Sequence, residues 1–360
     1  MDPVGSNGPE LPDAARVIAD FIAPRALESD ATGVARASID ALAAAGLLGI
    51  PLAPHAQREL GELLSAADAS TWFCWVQHQT PLKTLANAEA TPAAPAVAAL
   101  KARWLAGMES GEYLAAVAFA HVRRPGAPNP LATRVAGGWR FTGTLDWVTS
   151  WDIADVVMIM ARGDGADAGT LVSAFLPAGR SSEAVDGLHV GEPLRLLAMS
   201  GTHTRPLCLS DVFIPDESVA AVHDAPAWLE ADALKTSDAN PAAFGVTRGA
   251  LGELAGIADE RQDRTLADVV ESLAAQCREI RGRAYALADV ASLANREDRL
   301  DLRAASLELA IRASTAVVIA RAGAAIIAGT SAERRVRESV FLQVQAQTAE
   351  SRRAALARYL

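Results

Sequence analysis

Residues 138–150 read Gly-Trp-Arg-Phe-Thr-Gly-Thr-Leu-Asp-Trp-Val-Thr-Ser. Aromatic and β-branched residues alternate here with polar ones, the composition of a strand that buries one face. We therefore read Trp139–Thr149 as a strand. Similar short runs lie on both sides: Leu114–Ala120 before it, then Val156–Arg162, Thr170–Leu176 and Leu207–Ile214. Gly163-Asp164-Gly165 separates two of these runs. No helix-forming segment follows these glycines, so they predict a hairpin turn rather than a nucleotide loop.

Outside this block the texture is helical. Toward the N-terminus, Ile18, Phe21 and Ile22 fall on one stripe, Ile39, Leu42 and Leu47–Leu48 continue it, and Arg58–Gln79 reads the same way. Pro51, Pro54 and Pro92 punctuate the stretch, since proline cannot donate to a helix ladder. From about Pro241 onward Leu302, Leu309, Ala313, Ala316, Ala320, Gly323 and Ile327 recur at spacings of three, four and seven. Small residues on such a stripe let helices approach closely, in a bundle or a subunit interface. The expected class is α+β, mainly α: an N-terminal helical domain (1–112), a central β-barrel-like domain (113–222) and a C-terminal helical bundle (223–360).

The 360 residues are 51% hydrophobic and carry a formal charge of −10. An acidic balance argues against a nucleic-acid partner, because phosphate binding needs surplus Lys and Arg. Cys74, Cys208 and Cys277 are widely spaced, with no CxxC pair; neither a disulfide framework nor a metal site is expected, and a reducing cytoplasm fits. The polar N-terminal residues do not resemble a signal peptide. Ala313–Ala328, the most apolar segment, contains Arg321 and falls short of the ~18 uninterrupted apolar residues a membrane span needs, so a buried helix is expected. Over 331–360 six arginines (334, 335, 337, 352, 353, 358) face three glutamates (333, 338, 350). Such a run predicts a solvated helix face, or else an anion contact.

The order of helices, β-domain and bundle resembles the acyl-CoA dehydrogenase superfamily, and three stretches carry the resemblance. Residues 138–150 resemble a family stretch ending Trp-Ile-Thr-Asn, followed by Asp155 opening the next strand. Ser210-Asp211-Val212-Phe213-Ile214-Pro215 looks like the family's Asp-Val-x-Val-Pro. Glu333-Arg334-Arg335-Val336-Arg337-Glu338 resembles Glu-Arg-x-x-Arg-Asp. The resemblance implies FAD, a small-molecule substrate such as an acyl thioester, and a homodimer or homotetramer, with a heteromer of paralogous subunits as the alternative. It implies no membrane. It also implies that Phe119 and Ala120 meet the flavin pyrimidine through their backbone, that Trp147 stacks near the isoalloxazine, and that Thr149 bonds the N5 edge.

Departures from the family pattern bear on function. The family's Thr-Glu-Pro loop for cofactor phosphates becomes Ala120-His121-Val122-Arg123-Arg124-Pro125-Gly126, where Arg123 and Arg124 are candidate phosphate forks. The segment that reaches a neighbouring subunit's cofactor has no counterpart around 262–266. The glycine turn becomes Ala322-Gly323-Ala324-Ala325, leaving Gly323 as its remaining cofactor-side position. The base-bearing Tyr-Glu-Gly-Thr becomes Gln345-Ala346-Gln347-Thr348, so Thr348 persists and the base position is Ala346. The family's other base position is Ala242. Asp238 and Glu253 lie near the latter, each expected as a surface or cap residue. A monooxygenase branch needs no such base; Ser70-Thr71-Trp72 resembles one of its stretches, with His78, His121 and His203 as weak catalytic candidates. Three readings follow: an FAD-dependent oxidoreductase on an acyl-CoA-like substrate, a reduced-flavin monooxygenase, and a non-catalytic subunit that completes a partner's site.

Overall fold

The computed structural model describes residues 11–49, 52–124 and 130–360. Six helices come first: α1 (Pro12–Val17), α2 (Ala26–Thr32), α3 (Arg36–Ala44), α4 (Pro54–Ala67), α5 (Ala69–Ala86) and α6 (Val97–Ser110). The eight strands among the described residues are β1 (Ala115–Ala118), β2 (Leu131–Val135), β3 (Gly138–Val148), β4 (Val156–Gly163), β5 (Thr170–Pro177), β6 (Leu188–Val190), β7 (Arg205–Pro215) and β8 (Val219–Asp224). Six helices close the chain: α7 (Ala225–Lys235), α8 (Pro241–Arg261), α9 (Arg264–Asp289), α10 (Arg296–Arg321), α11 (Ser331–Leu342) and α12 (Ala349–Ala357).

The strands form one sheet in the order β6-β7-β3-β2-β4-β5-β8. β1 and β2 share one edge of β4, both parallel to it, at Ala115–Ala118 and at Leu131–Ala132. β4 and β5 pair antiparallel across the turn at Asp164–Gly169, so the Gly-Asp-Gly segment is a hairpin as expected. Alternation along β3 buries Trp139, Phe141 and Leu145 against Leu209, Val212 and Ile214 of β7, and Val148 joins them beyond a register shift. Burying each aromatic stabilises the sheet by about 1.5–3 kcal/mol. β2, β6 and β8, three to six residues each, are not among the strands read from the sequence.

The first helices pack around Ile22, Ile39, Leu42, Leu60 and Trp75. In the bundle, α8, α9 and α10 bury Phe244, Leu254, Leu273, Leu309 and Val317. Most of the predicted small-residue stripe lies inside this bundle: Leu302, Leu309, Ala313 and Ala320 are buried within the chain, whereas Ile327 is exposed. The outward positions are instead Ile319, Ile326 and Ile327. α10 with its continuation to Ile326 is long and apolar enough to cross a membrane, but it packs on α8, α9, α11 and α12.

Two corners matter for the site. Gln262 ends α8 in the left-handed region (φ 53°), and Asp263 caps α9 by accepting from Leu266 N, so two residues join these helices. α10 stops at Ala322, which holds φ 53°, ψ −138°, a conformation that only glycine adopts without strain.

Candidate functional site

The resemblance directs attention to the seam between the end of β1, the end of β3, the α7–α8 connection and the segment after α11. Phe119 follows β1 and is half-buried. The Trp228 ring of α7 packs edge-on against it at 5.8 Å, and the Arg123 guanidinium lies 4.9 Å over it. Ala120 is exposed beside it. Arg123 is held by Asp232 of α7 in a two-pronged pair, Nε and Nη2 each at 2.7 Å. Arg124 donates to Asp146 at 2.5 Å. Both candidate phosphate forks therefore already have a carboxylate. The rest of that loop, Pro125 and Gly126 included, lies outside the described residues.

Trp147 is 48% exposed, whereas Thr149 is buried. Strict alternation would place both on one face; a register shift between Leu145 and Val148, and the end of β3 at Val148, separates them. Thr149 begins a chain of hydroxyls: its Oγ1 lies 3.3 Å from that of Thr204, which lies 2.9 Å from that of Thr202. Thr202 donates to Met199 O at 2.8 Å. Because that carbonyl only accepts, it orients the chain: Thr202 accepts from Thr204, and Thr204 from Thr149. Thr149 thereby keeps acceptor capacity toward a ligand's N–H.

The three histidines are engaged structurally. His78 Nδ1 accepts from Ala115 N at 3.0 Å, so Nε2 carries the proton and donates to Met108 O at 3.2 Å. Burial pushes its imidazolium down to about 4, and His78 joins α5, α6 and β1 as a neutral ring. His121 contacts Met160 O at 2.8 Å, and burial lowers it too. His203, in the left-handed region, contacts Val34 O at 3.0 Å. Ser70 and Thr71 belong to a helix cap: both donate to Asp68, at 2.9 and 2.6 Å.

Neither base position is restored from nearby. Ala346 adopts φ 49° in the turn after α11, and Ala242 is buried in the first turn of α8. The two segments are tied together, Asn240 Nδ2 donating to Gln345 Oε1 at 2.8 Å. Asp238 is partly exposed and accepts from Arg299 Nε at 2.7 Å. Glu253 accepts from Ser331 at 2.8 Å and from Arg335 at 3.1 Å. Thr348 caps α12 in a reciprocal box with Ser351, and Gly323 sits exposed, with open space where a Cβ would be.

Of the six C-terminal arginines, Arg352, Arg353 and Arg358 are exposed, as a solvated face requires, but the three on α11 depart from it. Arg334 is buried and pairs with Glu338, Arg335 pairs with Glu253, and Arg337 reaches Asp30 at 3.1 Å. They lace α11 to the rest of the fold, which leaves none of the three for a ligand phosphate. Glu338 lies one turn from Arg334 on α11, whereas Glu253 and Asp30 are 82 and 307 positions from their arginines, beyond what local sequence discloses.

Measured against a flavin, Trp147 is open to contact, whereas Thr149 is buried and separated from it, so the two do not form the single ring-edge face that strand alternation predicts. The phosphate arm does not fit Arg123 and Arg124 as they stand, because Asp232 and Asp146 hold them.

No family model matches the sequence, and no curated protein matches it. Solved structures do. Butyryl-CoA dehydrogenase from Megasphaera elsdenii superposes with a TM-score of 0.76 at 16% identity, covering 99% of each chain. A glutaryl-CoA dehydrogenase from Mycobacterium smegmatis, in complex with FADH2, gives 0.78 at 14% identity, over 100% of this chain and 96% of that one. Dibenzothiophene monooxygenase from Paenibacillus sp. A11-2 gives 0.74 at 18%, over 97% and 96%. The helix–sheet–helix arrangement is thus one that flavin enzymes of more than one chemistry share. The chain has the acyl-CoA dehydrogenase fold.

Proposed function

We propose that this chain is an FAD-dependent oxidoreductase that acts on an acyl-thioester-like small molecule without a side-chain carboxylate as α-proton acceptor. The observation that carries this reading is the pair of alanines, Ala346 and Ala242, at both base positions, with Asp238 and Glu253 each committed to an arginine. A general base must reach its proton within hydrogen-bond distance; neither base position carries a carboxylate, and the described neighbours Asp238 and Glu253 are each paired with an arginine. FAD, when bound, supplies two-electron redox chemistry at its ring. Trp147 would bound that ring's edge. Oxygen-dependent hydroxylation, which needs no such base, is the reaction this arrangement favours over desaturation.

A second reading, a non-catalytic subunit, is favoured by Arg123–Asp232 and Arg124–Asp146, which occupy the candidate phosphate forks. One experiment separates the readings. The purified protein's absorbance spectrum is recorded with and without added FAD, and reduced flavin is then mixed with oxygen and candidate substrate. A bound-flavin band and substrate-dependent oxygen consumption support the oxidoreductase. Failure to hold flavin at any concentration leaves the subunit reading.

A further inference from the structure

Arg299 and Arg303 stand one turn apart on α10, and their guanidiniums reach the end of α7, the α7–α8 connection and the segment after α11. Their side chains are almost wholly buried, at 1% and 5% exposure. Arg299 donates through Nε to Asp238 Oδ1 and through Nη2 to Leu234 O, both at 2.7 Å. Arg303 donates through Nη1 to Asp238 O at 3.0 Å and through Nη2 to Gln345 O at 2.9 Å. Arg299 Nη1 and Arg303 Nε, both buried, have no partner.

The charges here do not balance. Among the described residues the Asp238 carboxylate bonds Arg299, Arg303 has only carbonyl partners, and the nearby Arg123 is matched by Asp232. One positive charge is left over on a buried side chain. Burial and the field of Arg123 push Arg303 down to about 10, the direction expected where a cation lacks a counter-ion. An unsatisfied buried donor destabilises by roughly 1–3 kcal/mol, more when charged, and an excess buried charge persists where something compensates it. The position is telling: Arg303 clasps Asp238 O and Gln345 O, the two segments that lead into Ala242 and Ala346.

We propose that Arg299 Nη1 and Arg303 Nε form a subsite for one carboxylate, carried by the substrate. This deepens the reading above and rests on it for the word substrate: the acyl group would bear an anionic end. The anion binding itself is independent of flavin. A carboxylate and a cofactor phosphate share the oxyanion chemistry, so the test includes both.

The full chain, without added flavin and in low-chloride buffer, is titrated with acetate, succinate and inorganic phosphate, following its thermal midpoint and heat of binding. We expect saturable stabilisation by a carboxylate, weakened at least tenfold in Arg303→Lys and in Arg299→Gln, and unchanged in Arg312→Gln on the exposed side of α10. Two variants are used because one may not fold. Tighter binding of phosphate than of either carboxylate would overturn the carboxylate assignment. No saturable effect from any anion, or equal effects in wild type and Arg303→Lys, would overturn the subsite. Because flavin is absent from the titration, its failure is distinguishable from failure of the flavin spectrum.

Discussion

Arg303 Nη2 donates to the carbonyl of Gln345 at 2.9 Å, which sets a guanidinium against the backbone immediately before Ala346. Where the resemblance implies a carboxylate, the chain has a methyl group with a cation close behind it.

The first prediction follows. Saturated acyl thioesters added anaerobically to flavin-loaded wild-type protein should leave the oxidised flavin band unbleached over seconds. Losing a general base typically costs about 10²–10⁴-fold in rate. Ala346→Glu should introduce bleaching, and the neighbouring Arg303 should hold the new carboxylate ionised to lower pH than usual. Rapid bleaching by the unmodified protein would place a base elsewhere.

The second concerns Arg123. Asp232→Asn removes the charge from one side of a largely buried pair, so stability should fall by about 3–5 kcal/mol. If the freed guanidinium serves a cofactor phosphate, FAD should bind about tenfold tighter, a gain of ~1.4 kcal/mol. Unchanged affinity by equilibrium titration would mark Arg123 as a brace between sheet and bundle only.

Local sequence carried the sheet and the bundle but not what meets across them. The alternation of Trp139, Phe141 and Leu145 is a property of consecutive residues and could be read directly. Asp232 is 109 positions from Arg123, and α7, which carries it, is short and lacks a strong apolar stripe. The shift between Leu145 and Val148 that separates Trp147 from Thr149 arises from pairing with β7. The histidines looked catalytic because residue type was visible and their carbonyl partners were not.

The third prediction is a pH dependence. His78 is lowered to about 4 in the fold, against about 6.5 in an unfolded chain. Below pH 6.5 the unfolded state takes up a proton that the folded state refuses. The contribution of His78 is therefore complete above that pH and is lost as pH falls toward 4, by about 3 kcal/mol in all. Denaturant unfolding of wild type and His78→Gln should show a stability gap that narrows between pH 7.5 and 4.5. Parallel curves would mean that His78 is not the buried neutral ring described.

The fourth concerns strain at Ala322. Glycine tolerates φ 53°, ψ −138°, and alanine does not. Ala322→Gly should stabilise the fold by about 1 kcal/mol, read as a higher thermal midpoint. Ala324→Gly, in the same short turn, should not. Equal effects at the two positions would remove strain as the cause.

The fifth concerns assembly. Ile319, Ile326 and Ile327 are 73%, 75% and 63% exposed at one end of α10. Light scattering should give at least twice the 37.6 kDa chain mass, with Ile319→Glu/Ile326→Glu reverting to a single chain. A monomeric wild type at micromolar concentration would sink this expectation.

The tight corner of Gln262 and Asp263 has a consequence for any such assembly. With only these two residues between α8 and α9, that corner cannot lend an arm to a neighbouring copy. Each chain would then be self-sufficient there. Rescue between chains crippled at different ligand-facing positions, if it occurs on mixing, should therefore not run through this corner, and lengthening or altering it should leave such rescue unchanged.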